Sequence, residues 1–132
     1  MSEELILPTL RWLPEANRWQ PFRGLQPCDW PPEVEPQHLP RPTYTVGTRV
    51  YFEYVGPRPW EGIIQLIELP GGRYQPWEDV YELIARRYYR PEAIVYLIQA
   101  RGHLRLVRAP RVVGLSTGSE LRPLLEHGYE EF

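Results

Sequence analysis

Thr45-Val46-Gly47-Thr48-Arg49-Val50-Tyr51-Phe52-Glu53-Tyr54-Val55 decides the fold class, together with Trp60-Glu61-Gly62-Ile63-Ile64-Gln65-Leu66-Ile67-Glu68-Leu69. Both runs are rich in β-branched and aromatic residues, which suit a pleated, half-buried surface. In the first, Val50, Phe52 and Tyr54 fall on one face and Arg49, Tyr51 and Glu53 on the other, the two-residue period of a strand. Gly56-Pro57-Arg58-Pro59 between them is a loop. Pro70-Gly71-Gly72 ends the second strand, and Gly62 inside it predicts a bend or bulge.

Downstream, residues 76–89 read as an inserted α-helix. Pro76 suits the first turn, and Glu78, Asp79 and Glu82 stand near the N-terminal end. Arg86, Arg87 and Arg90 stand at the C-terminal end, an order that suits the helix dipole. Trp77, Val80, Tyr81, Ile84 and Tyr88 recur at helical spacing. Ala93 to Ala100 is a buried-looking strand, Arg101-Gly102-His103 a tight turn, and Leu104 to Arg108 the returning strand. Ala109-Pro110-Arg111 breaks the ladder before a short strand from Val112 to Leu115. Ser119 can cap a short C-terminal helix through His127, followed by the acidic-aromatic tail Tyr129-Glu130-Glu131-Phe132.

Upstream, residues 1–40 hold 8 of the 16 prolines, which argues against long helices and central strands. Trp12, Trp19, Phe22 and Trp30 punctuate this segment. It is therefore expected to be an extended arm lying along an apolar surface, either its own barrel or a partner. The expected division is an arm at 1–42, a β domain at 43–115, and a short helix and tail at 116–132. The fold class expected is α+β: a small antiparallel β-barrel or strongly bent sheet, one inserted helix, a C-terminal helix and the Pro-rich arm.

At 132 residues the chain fits one domain. Its single cysteine excludes an internal disulfide. Cys28, between Pro27 and Asp29, is read as an unreactive thiol. No run approaches the roughly 18 consecutive apolar residues of a membrane span. The acidic start Met-Ser-Glu-Glu leads into no signal-like apolar stretch, so a cytoplasmic setting is expected. All 15 basic residues are arginine, whose guanidinium groups stack on aromatics and make planar two-point contacts. Residues 1–40 carry three Arg and six acids, net −3; residues 41–115 carry eleven Arg and seven acids, net +4. Residues 116–132 carry one Arg and four acids, again net −3. A basic centre between acidic ends is either ordinary surface variation or a binding face with tuning segments.

Residues 45–69 and 93–115 resemble an SH3-like small barrel of the KOW, Tudor or agenet kind. The resemblance is carried by Val46-Gly47-Thr48-Arg49-Val50-Tyr51-Phe52, Trp60-Glu61-Gly62-Ile63-Ile64, Ile94-Val95-Tyr96-Leu97-Ile98 and Leu104-Arg105-Leu106-Val107-Arg108. The Pro-Arg break and final short strand complete it. The helix at 76–89 departs from that pattern. The resemblance implies a binding module for proteins or nucleic acids, with the first loop and the last hairpin bordering one groove. Tyr54, Arg58, Trp60, Arg101, Arg105 and Arg108 are then the expected partner-binding residues, with Trp12, Trp19 and Trp30 from the arm.

Gly114-Leu115-Ser116-Thr117-Gly118 matches the nucleophile-elbow string. Too little chain follows to build the sheet that returns an acid and a histidine, so chance explains it better. His38, His103 and His127 have no metal-ligand spacing. Glu78 and Asp79 are explained by the first turn of a helix. Neither a cofactor nor a metal is expected. Arg and aromatic residues can also hold phosphates and stack bases. Arg86, Arg87, Tyr89, Arg90, Arg105 and Arg111 are the expected residues of that alternative. Equally, arginines pair with carboxylates and tyrosines fill cores. The leading expectation is a non-enzymatic protein-interaction module, an accessory or regulatory subunit of a larger assembly. Nucleic-acid binding comes second and a small enzyme third.

Overall fold

The computed structural model describes residues 5–22, 39–74 and 87–116. Nine strands form in chain order: β1 (Leu5–Leu7), β2 (Leu10–Leu13), β3 (Arg18–Pro21), β4 (Arg49–Phe52), β5 (Trp60–Leu69), β6 (Gly72–Tyr74), β7 (Val95–Ala100), β8 (His103–Arg108) and β9 (Val112–Leu115). All pairings are antiparallel. β1 and β6 make a two-stranded ribbon and the other seven share one sheet.

The α+β expectation is corrected. Among the described residues no helix reaches seven residues, and the defined helical elements are two 3₁₀ turns, Pro91–Ala93 and Ala109–Arg111. Of the helix expected at 76–89, residues 75–86 lie outside the described residues; Arg87 and Tyr88 are helical and Tyr89 is not. The helix expected from Ser119 also lies outside them. No helix among the described residues is long and apolar enough to cross a membrane.

Over residues 5–22 the expected extended arm is replaced by strands, while residues 23–38 of it lie outside the described residues. Three of its prolines sit where strands tolerate them: Pro8 between β1 and β2, Pro14 in the β2–β3 turn, Pro21 at the end of β3. Among the described residues β3 pairs only with β2, so there Pro21 removes no donor from a central ladder. Trp12 and Trp19 face each other across that hairpin, edge to face at 5.2 Å. The Trp19 indole N–H donates to the Pro40 carbonyl at 2.6 Å. β2 then docks on β5, Leu10 opposite Leu69 and Arg11 opposite Glu68, where an Arg11–Glu68 ion pair closes at 2.8 Å. Leu7, Leu10, Trp12 and Trp19 belong to the same buried cluster as Phe52, Ile64 and Ile98. The apolar surface along which residues 7–21 lie is the chain's own sheet.

β5 organises everything. One of its edges carries β7; the other carries β4 at its start and β2 at its end. Ile64 is fully buried and faces Ile98, but the register with β7 slips before Leu66. This bulge at Gln65 switches the inward parity from Trp60, Gly62 and Ile64 to Ile67 and Leu69. Without it the last two would turn away from the core. The bulge is at Gln65 rather than at Gly62. Gly62 instead serves close approach, since a Cβ there would meet the Gln99 carbonyl oxygen and Ile98 Cγ2 at 2.5 Å.

Tyr96 is buried on β7, and its hydroxyl accepts from the Thr43 and Tyr44 amides at 3.0 and 3.4 Å. Burial raises its pKa, partly opposed by those two donors. Above the ordinary tyrosine value of about 10, the unfolded chain ionises while the folded chain holds its proton. Stability is therefore complete below that value and falls as pH climbs toward the raised folded value. Alkaline denaturation followed by circular dichroism should show this loss, and Tyr96→Phe should make it smaller. An unchanged alkaline limb in the variant would contradict the assignment.

Candidate functional site

β4 and β5 start the site. Phe52, last in β4, pairs with Trp60, first in β5, and the loop between them carries Tyr54 back over both rings. Tyr54 and Trp60 lie 5.1 Å apart, Phe52 and Tyr54 6.1 Å, Phe52 and Trp60 6.3 Å. The Trp60 indole N–H donates to the Val55 carbonyl at 3.0 Å, which fixes the loop to the ring. Trp60 is buried, whereas Tyr54 is 37% exposed.

The β7–β8 hairpin supplies the cations. Its turn is the two residues Arg101 and Gly102, both at positive φ (51° and 81°). This conformation matches the twist of the flanking strands. The turn sets the Arg101 guanidinium over the Trp60 ring, 3.6 Å from its centroid. Arg105, one pleat along β8, lies 5.1 Å from the Trp60 ring and 5.6 Å from that of Tyr54. Its Nε–H donates to the Ala100 carbonyl at 3.3 Å. Such cation–π contacts contribute about 0.5–2 kcal/mol each, more as water is excluded. Neither arginine pairs with a carboxylate among the described residues.

An open groove of about 470 Å³ runs beside Tyr54, lined by Glu53, Gly56, Pro57, Arg58, Pro59, Arg111 and Val113. It is of mixed charge, with one acid and two arginines.

Four of the expected residues, Tyr54, Trp60, Arg101 and Arg105, therefore converge, and Arg58 and Arg111 line the adjoining groove. Arg108 is exposed at the far end of β8, opposite Val95. Trp12 and Trp19 are in the core, and Trp30 and Arg86 lie outside the described residues. Arg87 stacks on and donates to Tyr88, and Arg90 pairs with Glu92 at 3.8 Å. Tyr89 is buried with its hydroxyl donating to the Pro8 carbonyl, so its ring is not offered to a base. Ser116 is fully buried and its hydroxyl donates to Glu61, a fixed structural contact rather than an exposed elbow. Among the described residues no three His, Cys, Asp or Glu side chains gather as a metal group.

Sequence reasoning missed the exposed apolar side chains Leu104, Leu106, Val113 and Leu115. The alternation of leucine with arginine in Leu104-Arg105-Leu106 was the available signal: a strand with arginine turned inward onto aromatics leaves its leucines outside. Comparison with protein-family models, with curated proteins and with solved structures found no match.

Proposed function

We propose that the chain is a non-enzymatic protein-interaction module, an accessory or regulatory subunit of a larger assembly. It binds through the Tyr54–Trp60–Arg101–Arg105 cluster and the groove beside it. The observation that carries this reading is the pair of guanidinium groups held on aromatic rings with no carboxylate partner among the described residues. Stacking fixes their position in advance, so a partner's carboxylate meets cations whose freedom is already reduced. Arginine and aromatic side chains are also the favoured anchors of protein interfaces. Along the chain, β4, β5, β7, β8, a 3₁₀ turn and β9 follow one another with β6 between β5 and β7, a run that is compatible with the SH3-like resemblance and supports reading the chain as a binding module. The single cysteine fits an intracellular compartment.

Nucleic-acid binding is the second reading, favoured by a stretch from Ala93 to Ser119 with four arginines and no acid. Against it stand Glu53 in the groove, the buried Trp60 ring already covered by Arg101, and the exposed leucines and valine nearby. A base stacks on free aromatic faces.

Affinity capture from the native source with the full chain, compared with the Arg101→Glu, Arg105→Glu double variant, tests the proposal. A specific protein should be retained by the wild type and reduced at least about tenfold by the variant, as expected for reversing desolvated interface charges. Equal capture by both proteins would overturn the proposal. So would retention of nucleic acid alone, released by moderate salt.

A further inference from the structure

We propose that β8 is a docking strand that takes an extended, alternately acidic and apolar segment of a partner protein into the sheet. This rests on the reading of the chain as a protein-interaction module. Among the described residues β8 pairs only with β7, so its other side is a sheet edge. The two-residue turn closes on Ala100 opposite His103. In an antiparallel ladder, hydrogen-bonded and non-hydrogen-bonded pairs then alternate. His103, Arg105 and Val107 bond to β7, a parity continued by the Ala109 amide donating to the Ile94 carbonyl at 2.8 Å. Leu104, Leu106 and Arg108 direct their backbone groups outward, where no partner among the described residues meets them.

Edge strands are ordinarily blunted by proline, a bulge, a charged side chain or a covering segment. β8 has a regular register and no proline. Its outer face presents Leu104, 48% exposed, and Leu106, 62% exposed, and ends at the exposed Arg108. The inner face beside that edge carries Arg105, held on Trp60 and Tyr54. A strand laid along β8 would place one set of alternate side chains against the two leucines and the other set toward Arg105. The complementary pattern is thus apolar, acidic, apolar. The hairpin and strand carry Arg101, Arg105 and Arg108 and no acid, so a second copy pairing β8 with β8 would oppose like charges. Nucleic-acid phosphates accept from amides but would leave the outward carbonyl groups and the leucines unmatched.

The probe is a short end-blocked peptide alternating Val and Glu, added to the full chain. Amide hydrogen exchange should slow at Leu104 and Leu106, while Arg105 and Val107, already bonded, change little. N-methylating the peptide amides that would face β8, or replacing its Glu by Lys, should weaken binding at least about tenfold. Leu106→Pro removes an outward donor that β7 does not use, so it should weaken the peptide similarly while the chain stays folded. The methylated peptide tests the same bond on the wild-type chain. Unchanged exchange at saturating peptide, equal binding of the methylated or Lys peptide, or a dimer formed through β8 would overturn the inference. So would an oligonucleotide that protects the same amides. A captured partner lost by the Arg101→Glu, Arg105→Glu variant but fully kept by Leu106→Pro would overturn the docking strand alone. Absence of any captured protein would overturn the interaction reading itself.

Discussion

Trp60→Ala is expected to lower unfolding stability by about 3–5 kcal/mol, the range for truncating a buried large aromatic. The same change is expected to abolish partner binding. Trp60 is almost wholly buried. It packs on Phe52 and Tyr54 and carries Arg101 and Arg105. Truncation leaves a cavity that β4 cannot close, because Phe52 is fixed in register opposite residue 60. It also removes the indole donor to the Val55 carbonyl, so the loop bearing Tyr54 and Arg58 loses its tie. Two effects are mixed in that variant, and Trp60→Phe separates them. Phenylalanine keeps a ring under the guanidinium groups but not the indole N–H, a loss of about 1 kcal/mol for the hydrogen bond plus the missing ring volume. Urea denaturation by circular dichroism reads the first effect and partner capture the second. If Trp60→Ala unfolds at nearly the wild-type urea concentration, or if Trp60→Phe abolishes capture while leaving Arg101 in place, the aromatic platform is not what positions the cations.

The middle and last strands were legible because each is bounded by its own punctuation. β5 starts and ends where Trp60 and Leu69 predict it, between Pro59 and Pro70. β8 and β9 are separated by the Ala109-Pro110-Arg111 break, realised as a 3₁₀ turn. β4 is shorter than the β-rich run from Thr45 to Val55 because the chain already turns near Gly47, at φ 91°, and Gly56, at φ 83°. The β2–β3 hairpin was missed because proline density was weighed over the whole segment rather than position by position. Leu10-Arg11-Trp12 and Trp19-Gln20-Pro21 alternate at strand period, and Asn17 takes the positive φ that closes the turn. The bulge at Gln65 has no local signature, since nothing in Ile64-Gln65-Leu66 distinguishes a slip from a continued strand. It follows from a tertiary need: Ile64 and Ile67 must both face the core. That the first loop and the last hairpin should meet was expected only from the SH3-like resemblance, not from any local pattern. No local rule places Arg101 on Trp60; that depends on β7 crossing beside β5, a long-range pairing.

Gly71→Ala is expected to cost about 3 kcal/mol or more, the range for a steric conflict that neighbours cannot relieve. It should be compared with Gly114→Ala, where a Cβ meets nothing within 4 Å and the change should stay within about 0.5 kcal/mol. A Cβ on Gly71 would stand 1.8 Å from the Leu7 carbonyl oxygen and 2.5 Å from the Pro8 carbonyl oxygen. These are backbone atoms and cannot swing aside as a side-chain tip would. The contact exists because β1 and β6 pair with Leu7 opposite Gly72, directly beyond the β5 turn. The Gly71 amide also donates to the Thr9 hydroxyl at 3.4 Å. To admit the methyl, the Leu7–Thr9 corner must lift, taking buried Leu7 out of the core and straining the bond from the Tyr89 hydroxyl to Pro8. The size of the effect therefore reports how firmly the N-terminal segment is built into the sheet. Were that segment an arm laid loosely on the surface, it would move away and the substitution would cost little. A Gly71→Ala variant as stable as Gly114→Ala in urea would restore the arm. A large loss, with faster amide exchange spreading to Leu10 and Trp12, is the outcome that follows from β2 being an integral strand beside β5.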